Sequence, residues 1–138
     1  PDLALLPGVH AMTDVTGFGL AGHTLEMARG AGLDIELAWS GVPIHEGVRS
    51  LAAAGHVTGA SGRNWSGYGH DVDLPAGFAD ADAALLTDPQ TSGGLLVACA
   101  EDSVAEVLST FERHGFASAT VVGRASATRA NPRLRVTL

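Results

Sequence analysis

The sequence has 138 residues, of which 46% are hydrophobic and 17% are charged, a composition that fits one globular domain with a buried core. Its formal net charge of -7 argues against a nucleic-acid-binding protein, because such proteins carry a basic surface. No apolar run approaches the roughly 20 residues of a membrane span and no secretory leader is evident, so we expect a cytoplasmic protein without membrane contact. The chain begins without Met, which suggests a fragment or a processed product.

The first part of the chain predicts alternating strands and helices. A strand is expected over residues 8–15 and a helix over 17–32, followed by a strand over 33–39 and a helix over 44–55. Thr16 is the expected N-cap of the first helix. The apolar stripe predicted for that helix consists of Phe18, Ala21, Leu25 and Ala28.

The middle of the chain gives a weaker pattern. Residues 56–82 are rich in glycine and show no periodicity, so we expect a long loop that is functional or mobile. Two strands are expected at 83–87 and 94–100, and a Pro-containing polar segment lies between them.

The last part predicts one strong helix and two strands. The helix follows Asp102 and ends at Gly115, with Ser103 and Glu106 as a capping box. Strands are expected at 119–125 and 133–138. The apolar residues expected to form the buried face of this helix are Val104, Val107, Leu108 and Phe111. The chain as a whole therefore predicts a mixture of helices and strands.

Asp14 is the carboxylate with the most informative position. It lies where a predicted strand ends, and Gly17 is expected to pack closely at the start of the next helix. Exposed N–H groups of a first helical turn favour an anion such as phosphate, and magnesium takes one or two carboxylates together with phosphates. From the local pattern alone, helix capping by Asp14 is the more common alternative to metal binding.

Other polar residues leave two interpretations open. His23 and Glu26 lie three residues apart, and without a second His one turn away they predict a solvated polar face rather than a metal pair. Arg63 and Asn64 stand among small residues, where they would either meet phosphate or belong to a flexible surface loop. The single cysteine, Cys99, lies in an apolar run and is expected to be structural.

Three strings resemble the C-terminal half of selenophosphate synthetases, also called selenide, water dikinases: TDVTGFGLAGHTLEMA at 13–28, GRNWSGYGH at 62–70 and LLTDPQTSGGLLVA at 85–98. The resemblance implies an α+β fold with a mixed β-sheet packed by helices, like the C-terminal domain of aminoimidazole ribonucleotide synthetase. It also implies the conversion of ATP, selenide and water to selenophosphate, AMP and phosphate.

The resemblance further implies roles for individual residues. Asp14 matches an aspartate that helps to bind Mg²⁺, with the other carboxylates supplied by an N-terminal domain. The reactive cysteine or selenocysteine and the catalytic lysine would also lie there, so no catalytic residue is expected in this chain. The residues assigned to a phosphate-binding or active-site loop are Thr13, Thr16, Gly17, Arg63, Asn64, Asp88 and Thr91.

The resemblance implies that residues 1–138 form one C-terminal domain, inactive alone, that packs against its own N-terminal domain in a homodimeric enzyme. Residues 88–94 would support the active-site face or the interdomain contact. Two alternatives remain at this point. One is a related ATP-dependent synthetase or kinase of the same fold, and the other is a non-catalytic assembly module.

Overall fold

Helices and strands interleave along the computed structural model, which describes residues 2–128 and 130–138. The α+β fold predicted from the resemblance is confirmed. The described elements are β1 (Val9–Asp14), α1 (Gly19–Ala31), β2 (Leu33–Ala38), α2 (Val48–Ala53), α3 (Gly59–Tyr68), β3 (Val72–Asp73), α4 (Asp80–Leu86), β4 (Leu95–Cys99), α5 (Val104–Arg113), β5 (Gly123–Thr128) and β6 (Leu134–Thr137).

A four-stranded mixed sheet with the order β3-β6-β2-β5 forms the centre of the fold. Strand β6 runs parallel to β2 and β3, whereas β5 runs antiparallel to β2. Side chains alternate between the two faces of a strand, so the buried Leu37, Leu134 and Val136 lie on one face. Neighbouring positions on the other face form a row of alternating charge across the four strands: Asp73, Arg135, Glu36 and Arg124.

Helix α1 packs on the apolar face of this sheet. Ala21, Leu25 and Ala28 are fully buried, which confirms three of the four positions predicted for its apolar stripe. Phe18 is the exception, because it precedes the helix and is 52% exposed. The helix ends at Gly32, whose φ of 67° is the left-handed conformation that favours glycine at this position.

Strands β1 and β4 form a separate antiparallel pair. Its register places Asp14 opposite Leu95, at the end of β1 and the beginning of β4. The chain leaves this end of the pair through the segment that leads into α1, and it enters through the segment that follows α4. The fold therefore brings two connecting segments to one end of the β1–β4 pair.

The loop predicted over residues 56–82 is wrong, because this range contains α3, β3 and the beginning of α4. Helix α3 is rich in glycine and serine and lacks regularly spaced apolar residues, so its sequence does not predict a helix. Its first turn is capped instead by Thr58, whose Oγ1 accepts a hydrogen bond from the Ser61 amide at 3.3 Å.

The strand predicted at 83–87 is also wrong, because Asp80–Leu86 form helix α4. A short apolar run does not distinguish a strand from a buried helical segment, and Leu86 is fully buried here. Asp80 and Asp82 lie in the first turn, where negative charge stabilises a helix N-terminus. The polar segment 88–94 therefore connects a helix to a strand.

Most of the remaining elements lie close to their predicted ranges, but the strand predicted at 119–125 lies later, at Gly123–Thr128, and the start of α5 also differs. Helix α5 ends before Gly115, whose φ is 87°, as predicted. The prediction that Ser103 and Glu106 form a capping box is wrong. A 3-10 turn at Glu101–Ser103 precedes the helix, and the Ser103 hydroxyl donates to the Asp102 carboxylate instead. Across the described part of the chain, no helix combines the length and apolar character that a membrane span requires.

The packing of α1 on the sheet predicts the effect of truncating its central side chain. Leu25→Ala removes a fully buried side chain and should lower the free energy of unfolding by about 2–5 kcal/mol. Leu5→Ala is the matched control, because Leu5 is 79% exposed and its loss should change stability by less than about 0.5 kcal/mol. Equal shifts in urea denaturation midpoint would contradict this packing.

Candidate functional site

Three segments of the chain meet at the end of β1. The first is the β1–α1 turn, residues 15–18, and the second is the α4–β4 loop, residues 87–94. The third is helix α3, which contacts both of them. These three segments contain most of the residues that the sequence assigned to a site.

The β1–α1 turn and the α4–β4 loop touch through their backbones. The Val15 amide donates to the Gly94 carbonyl at 2.9 Å, and the Gln90 amide donates to the Thr16 carbonyl at 3.0 Å. A Cβ atom on Gly93 would lie 1.8 Å from the Val15 carbonyl oxygen, closer than any side chain can approach. Gly93 is therefore required by the contact between the two segments.

A second close approach lies at the start of α1. Gly19 has a φ of 69°, and a Cβ atom there would lie 2.6 Å from the carbonyl carbon of Thr87. Gly17, by contrast, would have no atom within 4 Å of an added Cβ. The expectation that Gly17 packs closely is wrong, since the close contact belongs to Gly19.

Asn64 of α3 joins the two segments through a single side chain. Its Nδ2 donates to the Gly17 carbonyl at 2.9 Å and to the Thr87 carbonyl at 3.0 Å. Tyr68, one turn further along α3, donates its hydroxyl proton to the Phe18 carbonyl. Burial raises the pKa of Tyr68 to about 12, so the hydroxyl stays protonated at neutral pH and keeps this bond.

Arg63 stands beside Asn64 but has a different environment. It is exposed, and within the described ranges its guanidinium makes no hydrogen bond or ion pair. Both residues lie on a helix, so the interpretation of this stretch as a flexible surface loop is wrong. Arg63 is left available to an external group, whereas the Asn64 Nδ2 group is used by the fold.

Asp88 anchors the α4–β4 loop to the beginning of α3. Its Oδ1 accepts hydrogen bonds from Thr58 Oγ1 and Ser61 Oγ, each at 3.3 Å. Gln90 Nε2 donates to the other carboxylate oxygen at 3.3 Å. A carboxylate near a helix N-terminus is favourable, so the contact of Asp88 with the beginning of α3 stabilises the position of the α4–β4 loop. Thr91 lies further along the same loop and is exposed.

Asp14 is the last residue of β1, and it is exposed. Its carboxylate makes no hydrogen bond or ion pair with any described residue, while Thr13 Oγ1 donates to its backbone carbonyl at 3.2 Å. Helix α1 has Phe18 as its N-cap and no side-chain cap, so neither Asp14 nor Thr16 caps it as the local pattern suggested. The carboxylate is thus free for a ligand from outside this part of the chain.

A metal would find only part of its ligand set here. Among residues 2–128 and 130–138, no three His, Cys, Asp or Glu side chains are grouped so that they could hold an ion. Asp14 nevertheless fits one position of a magnesium site, since magnesium takes hard oxygen ligands and commonly uses only one or two carboxylates.

His23 differs from its predicted place on a solvated face. It is only 7% exposed, and the Phe18 ring lies 5.7 Å from its ring, centroid to centroid. Its Nε2 lies 3.0 Å from Thr16 Oγ1, and its Nδ1 lies 3.0 Å from Glu26 Oε2. The Thr16 hydroxyl is therefore engaged by His23 and unavailable as a helix cap.

The structure thus brings Asp14, Thr16, Gly17, Asn64 and Asp88 to one end of the β1–β4 pair. Sequence reasoning did not assign three contributors to this arrangement, His23, Tyr68 and Gly93. The spacing of Thr16, His23 and Glu26 by seven and three residues was the one available signal, because residues so spaced lie near each other when a helix begins between them.

Comparison with known proteins agrees with these observations. The family model described as AIR synthase related protein, C-terminal domain, matches residues 1–132. A "Selenide, water dikinase" from Burkholderia pseudomallei (strain K96243) is 60% identical over 121 residues, which are 88% of this chain and 34% of that protein. One from Pseudomonas straminea is 57% identical over 126 residues, covering 91% of this chain and 35% of that protein.

The chain spans about a third of the length of these curated relatives. Among solved structures, E. coli HypE, a hydrogenase maturation protein, superimposes with a TM-score of 0.64 at 22% identity, over 94% of this chain and 32% of that chain. This likeness supports the fold alone. The resemblance to selenide, water dikinases inferred from three strings is confirmed by the named relatives.

The close contact at Gly93 yields a prediction with an adjacent control. Gly93→Ala places a methyl group on the Val15 carbonyl and should lower the free energy of unfolding by about 1–3 kcal/mol. An added Cβ at Gly94 would meet nothing within 4 Å, so Gly94→Ala should be neutral or slightly stabilising. Thermal unfolding of the two variants checks this, and equal stability would contradict the contact.

Proposed function

The chain belongs to the family of AIR synthase related proteins, as their C-terminal domain, and from this premise we propose that it is the C-terminal domain of a selenophosphate synthetase. The proposed reaction of the whole enzyme converts ATP, selenide and water to selenophosphate, AMP and phosphate. Identity of 60% with a named selenide, water dikinase supports this assignment. The observation that carries it is the meeting of all three matching strings at one end of β1.

The first role of this domain is to provide Asp14 as a magnesium ligand. The exposed carboxylate without a described partner supports this role, because a structural carboxylate would be engaged as Asp88 is. Bound magnesium would neutralise phosphate charge and orient the phosphoryl group. The remaining carboxylates would come from the N-terminal domain, so the complete metal site would lie between the two domains.

The second role is to provide one wall of a phosphate site. The first turn of α1 has no side-chain cap, and its Gly19 N–H donates to the Thr16 carbonyl at 3.1 Å. The remaining N–H groups of this turn would meet an anion. Gly17 exposes its backbone in the β1–α1 turn, and nothing lies within 4 Å of the position of its missing Cβ. Arg63 would add a mobile positive charge, and Thr13 and Thr91 would line the margin.

The proposal extends to the assembly of the enzyme. The reactive cysteine or selenocysteine and the catalytic lysine would reside in the N-terminal domain, and the full-length enzyme would be a cytoplasmic homodimer. The matched residues cover only 34% and 35% of these relatives, which supports a further domain. Likeness of fold alone would also admit another ATP-dependent synthetase or an assembly module, and the identity with named dikinases favours the first proposal.

The test is selenophosphate formation by the full-length protein that contains this chain. ³¹P NMR should show selenophosphate, AMP and phosphate when ATP, selenide and magnesium are supplied. Asp14→Asn should lower this turnover by on the order of 100-fold or more, because even loss of an outer-shell partner costs 10–100-fold. The melting temperature should change little, because the Asp14 side chain has no partner among the described residues.

Asp102→Asn is the control, since it neutralises another exposed carboxylate, which follows the opposite end of β4 from the candidate site. It should leave turnover unchanged. Hydrolysis of ATP without selenophosphate would reject the proposed function. Normal turnover by the Asp14→Asn enzyme would reject the metal role alone.

A further inference from the structure

Glu26, His23 and Thr16 form a continuous line of polar atoms at the start of α1. Glu26 Oε2 lies 3.0 Å from His23 Nδ1, and His23 Nε2 lies 3.0 Å from Thr16 Oγ1. Thr16 stands two residues after Asp14, in the β1–α1 turn. A carboxylate, an imidazole and a hydroxyl thus lead from the surface to the candidate site.

The protons on this line follow from the contacts. A carboxylate only accepts hydrogen bonds, and a bare Nδ1 lone pair at 3.0 Å from it would be repelled. A proton on Nδ1 removes this repulsion, and in a neutral imidazole with that proton Nε2 is the acceptor. With that tautomer, Thr16 uses its single proton to donate to Nε2 at 3.0 Å.

Burial makes the partner of His23 Nδ1 energetically important. The side chain is almost completely buried, and its Nδ1 finds no partner with full hydrogen-bond geometry among the described residues. Glu26 Oε2 lies 3.0 Å from Nδ1, and its side chain is 54% exposed, so it can turn into line with a proton on Nδ1. A buried N–H that loses its acceptor is costly, which ties the tautomer of His23 to Glu26.

The consequence concerns what Thr16 can bind. Once its proton is directed at His23, the hydroxyl offers only lone pairs, and phosphate oxygens at neutral pH are acceptors too. The hydroxyl therefore suits a ligand that donates better than it suits deprotonated phosphate oxygens.

We propose that Glu26 and His23 are positioning residues that fix the Thr16 hydroxyl as a hydrogen-bond acceptor for a water molecule beside Asp14. This rests on the proposed function, in which water is a reactant and magnesium carries further water molecules. The reacting water and a magnesium-bound water would each donate an O–H to Thr16. Loss of the contact with the reacting water would lower turnover, whereas loss of the contact with a magnesium-bound water would raise the magnesium requirement.

The first experiment measures the tautomer in this chain and needs no enzyme activity. ¹⁵N-labelled histidine is observed by long-range ¹H–¹⁵N NMR at about pH 8, above the ordinary histidine range. His23 should be protonated at Nδ1 and bare at Nε2. Glu26→Gln should weaken that preference, because an amide can also donate to Nδ1. The reverse tautomer or an imidazolium in the unaltered chain would overturn the proposal.

Glu112→Gln is the matched control, since Glu112 is an exposed carboxylate on α5 and far along the chain from His23. It should leave the His23 tautomer unchanged. A change equal to that of Glu26→Gln would show that the effect is not specific to the contact, and it would also overturn the proposal.

The second experiment uses the full-length enzyme. Thr16→Val and Glu26→Gln should each reduce selenophosphate formation by about 10–100-fold, as expected for groups that orient a ligand. Thr16→Ser, which keeps the hydroxyl, should retain most of the activity. Lower kcat at an unchanged magnesium requirement would identify the reacting water, and a raised magnesium requirement would identify a metal-bound water.

Full activity of Thr16→Val would overturn the proposal. If the unaltered full-length protein forms no selenophosphate, the proposed function fails, while the NMR result still decides whether Thr16 is held as an acceptor. The two failures are therefore distinguishable.

Discussion

The two hydrogen bonds donated by the Asn64 amide are the interaction on which the candidate site depends. One ends on the Gly17 carbonyl, 47 residues away in sequence, and the other ends on the Thr87 carbonyl, 23 residues away. Both carbonyls belong to connecting segments that no helix or strand ladder would otherwise satisfy. A net value of about 0.5–1.5 kcal/mol for each bond is modest, but loss of both would leave two carbonyls unpaired.

Close backbone contact explains the small residues around this interaction. Gly93 and Gly19 permit the β1–α1 turn and the α4–β4 loop to touch without an intervening side chain. Asp88 then ties the same loop to the start of α3. Asp14 and Arg63 are exposed, and their side chains make no hydrogen bond or ion pair with any described residue. The structure thus separates residues that build the site from residues that are open to a ligand.

The sequence predicted the elements whose structure depends on local periodicity. It failed for elements and residues whose structure depends on contacts distant in sequence. The buried position of Leu25 followed from helical spacing. The end of α5 before Gly115 followed from the glycine at that position. Helix α3 did not, because its stability comes from the Thr58 cap and from the distant partners of Asn64. His23 looked like a surface residue for the same reason, since its hydrogen-bond partner Thr16 lies in the turn before the helix. The position of Asp14 at a strand end was predictable, whereas its freedom from capping required the structure.

The most direct measurement of the central claim is amide hydrogen exchange in Asn64→Ala. Without the bridge, the β1–α1 turn and the α4–β4 loop should separate more often, so exchange should accelerate at the Val15 and Gln90 amides that bond between them. Arg63→Ala, which changes the adjacent exposed residue, should leave both rates unchanged, and the amides of α5 should stay protected in each variant. Unaltered exchange at Val15 and Gln90 in Asn64→Ala would contradict the claim that Asn64 holds the site together.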